Sequence, residues 1–250
     1  MCIRDRPSII LGLALPFLLK DGPAKVGWLS QEEKQQVLDA LEENEMLKKN
    51  QGSSVSGVAG AFRSRKVWIC CIIYLGIAIG LYGISFWLPQ LIELTLTTVK
   101  WKIGLYAAIP WLFAAVAMNL FGLHSDRTGE RRWHISLAAI GAGIGFALSG
   151  TGLTSFPPLV VLLLMTVATM GVMCAISSFW ALPTSLLSGS AAAAGIAWIN
   201  SVGNLGGYIS PEVFAWFKVH YSVGIALVFT GLCLAVSGIL ILGYWKKQAH

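Results

Sequence analysis

Charge is scarce in this sequence. Only 12% of its 250 residues are Asp, Glu, Lys or Arg, and 56% are hydrophobic, whereas a soluble domain carries about 25% charged residues. The shortage excludes an ordinary soluble globule. Cysteine chemistry is equally thin: Cys2, Cys70, Cys71, Cys174 and Cys233 show no CxxC or Cys/His ligand spacing, and the last four lie in apolar runs. They read as small buried hydrophobes, not as a disulfide framework or a metal centre. Groups able to build an active site are missing from the same runs. Glu93 lies near the end of one, Glu212 follows Pro211, and His124, His134 and His220 sit at run ends as interfacial residues. With no nucleophile and no acid–base pair converging, enzymatic chemistry is not expected, nor is a metal or cofactor.

What is present is length without charge. Apolar runs near or above the ~18 to 20 residues that cross a bilayer as a helix recur at Val67–Leu94, Ile103–Leu123, Trp133–Leu153, Phe156–Leu182, Ala191–Phe217 and Ser222–Trp245. The expected fold is an all-α membrane protein with six spans. A further run, Ser8–Leu19, has only 12 residues and would reach about 18 Å, too short to cross alone. It reads as the tail of a helix, and the charged residues 1–6 before it as a non-native start. The net charge of +6 does not indicate nucleic acid, because the basic residues gather at the ends of spans. Leaving out Arg4 and Arg6, thirteen Lys and Arg fall in residues 20–66, in the Arg127, Arg131 and Arg132 group and at Lys246 and Lys247, against three at Lys100, Lys102 and Lys218. The positive-inside rule places the richer side in the cytoplasm.

Residues 20–66 read as a polar cytoplasmic connector with a helix at about 31–49, since Ser30 and Glu33 form an S-x-x-E capping box and Lys48 and Lys49 close the segment. NQGSSVSGVAG then reads as a linker, and residues 67–250 as the six-helix bundle. The bundle contains a repeat. Its first span ends in Ser85-Phe86-Trp87-Leu88-Pro89 and its fourth in Ser178-Phe179-Trp180-Ala181-Leu182-Pro183, and these two helices run in opposite directions. An inverted 3+3 repeat has this arrangement, with Pro89 and Pro183 as gating hinges.

Neutral polarity marks candidate site positions. Asn200 and Asn204 are four apart and share a helix face, and Asn204 lies about 18 Å into its run, near the middle of a ~30 Å hydrocarbon layer. Buried amides there need another helix or a polar ligand as partner, and both readings stand. Tyr82, Trp87 and Gln90 in the first span, with Ser178, Trp180 and Thr184 in the fourth, set hydrogen-bonding groups beside apolar surface, a mixture suited to a small polar solute. Gly203 and Gly207, Gly76 and Gly80, and Gly141 and Gly145 are GxxxG pairs that permit close helix approach.

Between two uncharged runs stands FGLHSDRTGERRWH. Its Gly122, Asp126, Arg127, Gly129, Arg131 and Arg132 resemble the G-x-x-x-D-R-x-G-R-R loop of the major facilitator superfamily, with Glu130 inserted before the Arg pair. The connector DGPAKVGWLSQEEK and the stretches YGISFWLPQ, FWALPTSLLSG and AAAAGIAWINSVGNLGGYISP resemble, in order, the C-terminal half of that superfamily's anion:cation symporters. The resemblance covers nearly everything after Pro7. It implies a twelve-helix carrier of which this chain holds the end of helix six, the connector and the last six helices. It implies proton- or ion-coupled uptake of small organic anions such as tartrate, phthalate, sugar acids or hexuronates by alternating access, in a bacterial inner membrane. The partners implied are the anion, a coupling proton, the lipid bilayer and an N-terminal half absent from this chain, which leaves the fragment transport-incompetent alone. The family's cavity positions fall on Gln90, Ser178, Trp180 and Asn204, and less securely on Tyr82 and Asn200. The charged loop is then a cytoplasmic turn. Asp126 is expected either to face the positive N-terminal end of a neighbouring helix, the eleventh, as a conformational latch, or to serve topology alone. A carrier of neutral sugars or drugs, and a nontransporting membrane receptor or scaffold, are the competing readings.

Overall fold

The structure, a computed structural model, describes residues 27–50, 58–187 and 189–244. The expectations for residues 1–19, for the 51–57 linker and for Lys246 and Lys247 lie outside them. The chain divides into two units, Met1–Ser54 and Val55–His250. The first holds helix α1, Gln31–Asn50. Its capping box forms as read: the Ser30 amide donates to Glu33 Oε2 at 2.9 Å and the Glu33 amide to Ser30 Oγ at 3.2 Å. The Ser30 amide foremost, and the Ser30 side chain after it, favour the carboxylate, so Glu33 is held below the ordinary value of 4.5.

Among its described residues the second unit is all helix apart from the connections, with α2 Val58–Arg63, α3 Arg65–Thr95, α4 Lys100–Thr128, α5 Arg131–Thr151, α6 Pro158–Phe179, α7 Ala181–Leu186, α8 Gly189–Asn204, α9 Gly206–His220 and α10 Val223–Tyr244. Among the described residues, five stretches are long and apolar enough to cross a membrane: α3, α4, α5, α10 and the Pro158–Ser185 segment that joins α6 to α7. Each matches an expected span. The remaining expected span, Ala191–Phe217, is not one helix: it divides at Leu205 into α8 of 16 residues and α9 of 15. At 1.5 Å per residue each piece reaches about 22–24 Å, short of a crossing alone. Gly203, Gly206 and Gly207 weaken the helix there, and Pro211 has no N–H to give the Gly207 carbonyl.

Proline acts differently at the two repeat positions. Pro89 lies inside α3, which continues to Thr95. Pro183 cannot donate to the Phe179 carbonyl, and the helical path breaks at Trp180, between α6 and α7. Gly129 ends α4 with φ of 66°, a left-handed conformation that a glycine adopts without strain.

The helices pack through small residues. Ser136, Gly143 and Gly150 on α5 face Gly238, Gly231 and Gly224 on α10, each row spaced by seven residues and running antiparallel. A Cβ on Gly143 would lie 2.6 Å from the Gly231 carbonyl oxygen, and one on Gly231 2.5 Å from that of Gly143. Backbone therefore touches backbone along the seam. Gly145 plays the same part against α6, where a Cβ would lie 3.1 Å from the Leu164 carbonyl, but Gly141 has nothing within 4 Å. The pair expected from GxxxG spacing is thus replaced by a seven-residue row. Gly76 and Gly80 do meet α10, at Cys233 and Leu234. Around these seams Ile73, Ile77, Ile84, Leu88, Phe146, Met165 and Phe179 are buried and form the core. Helix α4 is the least covered, with Ile103, Pro110, Ala114 and Ser125 its buried residues.

Gly231→Ala is expected to lower unfolding stability by about 1–3 kcal/mol through overpacking, while Gly141→Ala leaves it equal or raises it by about 0.5–1 kcal/mol; thermal unfolding in detergent compares the two. For α1 the sign follows from the depressed Glu33 pKa: its stabilisation is present above the ordinary carboxylate range and is lost as pH falls through the folded value. The protection of the Ser30 amide, its exchange rate taken relative to the intrinsic rate at each pH, should fall on such acidification, and in Ser30→Ala the Glu33 amide should lose its protection at every pH.

Candidate functional site

Helices α3 and α8–α9 run side by side in the same direction, and their seam carries most of the expected site residues. Glycine sets the spacing. Gly203 lies under the Tyr74 ring, Gly206 meets the backbone of Ala78 and Ile79, and Gly207 lies against the Tyr82 ring. Thus Gly206, not the Gly203–Gly207 pair, brings the two backbones together, and the outer two glycines make room for aromatic rings. Ser210 then donates to the Ile79 carbonyl at 2.9 Å, in a buried position.

The break at Leu205 and this close approach bring three polar side chains into a chain. Tyr82 Oη donates to Asn204 Oδ1 at 3.0 Å, and Asn204 Nδ2 donates to Asn200 Oδ1 at 3.0 Å. Both asparagines are exposed and Tyr82 is half-buried. Each asparagine amide offers two N–H donors and an oxygen with two lone pairs, so the chain leaves hydrogen-bonding capacity free at its surface. Of the two readings open for Asn204, helix–helix bonding is met by Tyr82 without exhausting the amide.

The other expected positions fall in two further places. Trp180, at the break between α6 and α7, packs edge-on to Tyr74 at 4.8 Å between centroids, and Tyr74 stacks on Phe179 at 5.1 Å. Ser178, beside them in sequence, is buried and its Oγ has no partner among the described residues. Farther along α3, Trp87 stacks on Phe214 of α9 at 4.2 Å, and Gln90 accepts from Lys218 Nζ at 3.3 Å. Tyr74 and Lys218 escaped the sequence reading. Tyr74 sits in an apolar run with no polar neighbour to mark it, and Lys218 reads as a mere topology charge.

The charged loop occupies the opposite end of the bundle. Asp126 is exposed and Arg131 Nη2 lies 3.5 Å from its Oδ1. Arg131 opens α5, so Asp126 faces the N-terminal turn of that helix, where the eleventh of the resemblance, α8–α9, was expected. Arg132 donates to the Leu242 carbonyl near the end of α10, tying α5 to α10 at this end, while Arg127 is exposed and Gly122 has open space around it. His124 and His134, read as isolated, meet at 2.8 Å between Nδ1 and Nε2, and His134 Nδ1 bonds the Glu130 carbonyl. A cavity of about 410 Å³ lies between α4, α5 and α6, lined by Leu120, Phe121, His124, Leu137, Val167 and Met170 among others. Its lining is almost wholly apolar, unlike the asparagine chain.

Comparison with known proteins finds transporters among the relatives of this chain. The chain is 37% identical over 242 residues to a putative tartrate transporter of Agrobacterium vitis, an alignment covering 96% of this chain and 54% of that protein. It is 35% identical over 227 residues to the inner membrane transport protein RhmT of Escherichia coli, covering 90% of this chain and 51% of that one. A quinolone resistance transporter of Acinetobacter baumannii is 33% identical over 226 residues, covering 90% and 49%. The chain therefore spans about half the length of the curated relatives it matches. A profile of the Major Facilitator Superfamily matches residues 7–211, and with its membrane-length helices the chain is a multi-pass membrane protein that belongs to that superfamily.

Proposed function

We propose that this chain contributes one wall of the solute pathway of a secondary carrier for small organic anions, working by alternating access in a bacterial inner membrane. The observation that carries the reading is the chain Tyr82–Asn204–Asn200 at the break between α8 and α9. Interrupted helices inside a membrane occur where backbone lines a cavity or is covered by protein, and such breaks host solute sites in secondary transporters. Amide and phenol groups there can bond the hydroxyls and carboxylates of a hydroxy acid, while the nearby rings of Tyr74 and Trp180 cover its carbon skeleton. The name of the tartrate transporter among the relatives supports that solute class. The quinolone resistance transporter keeps a drug carrier as the second reading, favoured by the aromatic cluster of Tyr74, Phe179 and Trp180.

The same proposal includes movement and coupling. The breaks at Trp180 and Leu205 supply hinge points in α6–α7 and α8–α9, and on the other side of the bundle Asp126–Arg131 and Arg132–Leu242 hold the loop end together in this conformation. Pro89 and Pro183 contribute to gating in this reading, Pro183 by causing the break at Trp180. Gln90, Trp87 and Ser178 belong to the pathway beyond the asparagines. A co-transported proton supplies the driving force, and the N-terminal half completes the cavity.

Asn204→Ala should raise KM for tartrate uptake roughly tenfold, the loss expected for a hydrogen bond to a charged solute. Tyr82→Phe should raise it less, because Asn200 still orients the Asn204 amide. Uptake by the carrier in proteoliposomes under an imposed pH gradient is the measurement. Unchanged KM in both variants would remove the asparagine chain from the pathway, and competition by quinolones but not by tartrate would favour the drug reading.

A further inference from the structure

At the end of the α3–α9 seam away from the charged loop, a second polar cluster stands apart from the asparagine chain. Lys218 Nζ donates to Gln90 Oε1 at 3.3 Å and lies 5.2 Å from the centroid of the Trp87 ring. That ring stacks on Phe214 at 4.2 Å and 15°. Phe214 and Lys218 are four apart on α9, and Trp87 and Gln90 three apart on α3, so each pair shares a helix face. Two helices thus build one platform with a cation fixed upon it.

The hydrogen-bonding capacity left in the cluster is mainly that of donors. An ammonium group has three N–H bonds and no acceptor, and a glutamine amide has two N–H bonds; its oxygen, Gln90 Oε1, already accepts from Lys218 with one of its two lone pairs. The indole N–H of Trp87 is buried without an acceptor among the described residues. Other cations at this end are differently placed. Lys100 is paired with Glu93 at 3.0 Å, and Lys102 lies over Trp101 at 5.7 Å, at the start of α4. Among the described residues Lys218 has no carboxylate within ion-pair distance. His220, two residues on, bonds the Trp216 carbonyl at 2.9 Å and stacks on Trp216, which leaves the ammonium as the charge facing Trp87.

A fixed ammonium with no carboxylate partner among the described residues, set on an aromatic surface, is a receptor for a carboxylate attached to a small carbon skeleton. We propose that Lys218, positioned by Gln90 and Trp87, is an anion-capture station at this mouth, which binds a carboxylate of the solute before it reaches Tyr82, Asn204 and Asn200. The station lies about 20 Å from Asn204 by the helical rise along α9, so it is a second site and not part of the asparagine chain. It rests on the organic-anion reading and adds a specificity-determining residue to it. Capture by an exposed charge acts on encounter, so its mark is on KM and on salt dependence, with turnover unaffected.

Tartrate uptake by the carrier in proteoliposomes tests this with Lys218→Met, which keeps side-chain length, Lys218→Arg, which keeps charge, and Lys218→Cys before and after aminoethylation of the thiol. Met and unmodified Cys should raise KM roughly three- to tenfold with kcat within about twofold and a flattened salt dependence, while Arg and the aminoethylated Cys should restore the low KM. Rescue by the restored charge separates capture from a folding defect. The proposal is overturned if Met leaves KM and its salt dependence unchanged, or if Arg and aminoethylated Cys are impaired as much as Met. If the unaltered carrier takes up a neutral solute but neither tartrate nor another dicarboxylate, the organic-anion reading itself fails and the capture station falls with it.

Discussion

Inside hydrocarbon every backbone N–H and C=O must find its partner within the protein, and the rest of this structure depends on that constraint. It explains why the apolar runs are helices, and also why interruptions are informative. The helical path is interrupted at Trp180 and Leu205, and at both places neighbouring side chains close around the gap: Tyr74 and Phe179 at the first, Tyr82 and Asn204 at the second. An irregular backbone with polar side chains beside it is expensive to hold in a membrane.

Small residues decide how near the helices can come. On the α5–α10 seam the seven-residue row of Ser136, Gly143 and Gly150 against Gly238, Gly231 and Gly224 lets carbonyl oxygens rest where side chains would stand. That seam is further tied by Arg132 to the Leu242 carbonyl. On the α3–α9 seam the glycines serve a different end, since two of them seat the rings of Tyr74 and Tyr82. One seam is built for rigidity. The other presents functional groups along a row from Tyr74 through Asn204 and Trp87 to Lys218.

Much of the fold was legible because hydrophobic length and charge placement are local properties. The five membrane-length spans, the capping box of Ser30 and Glu33, and the turn at Gly129 could all be read from neighbouring residues. Asn200 and Asn204 stood out for the same reason, being amides in an apolar run. Their partner did not: Tyr82 lies 122 residues from Asn204, and no spacing rule connects them. Tyr74 was invisible because an aromatic in an apolar span has no distinguishing local pattern, and Lys218 because a lysine at a helix end serves topology equally well. The GxxxG rule picked Gly141, where a Cβ would meet nothing within 4 Å, and passed over Gly143, where a Cβ would meet the Gly231 carbonyl, because a four-residue spacing does not say which side of a helix meets a neighbour.

The sequence by itself determined that this chain is helical, lives in a membrane, carries a charged turn between two spans and belongs among major facilitators, since each of these depends on composition, run length or a contiguous motif. The tertiary structure decided which polar residues meet, where one expected span divides, that Asp126 faces the first turn of α5, and that Lys218 rests on Trp87. The physical reason is range. Hydrophobic transfer and helix formation act on consecutive residues, but a hydrogen bond or a ring stack between α3 and α9 exists only after more than a hundred intervening residues have packed and brought the two faces into register.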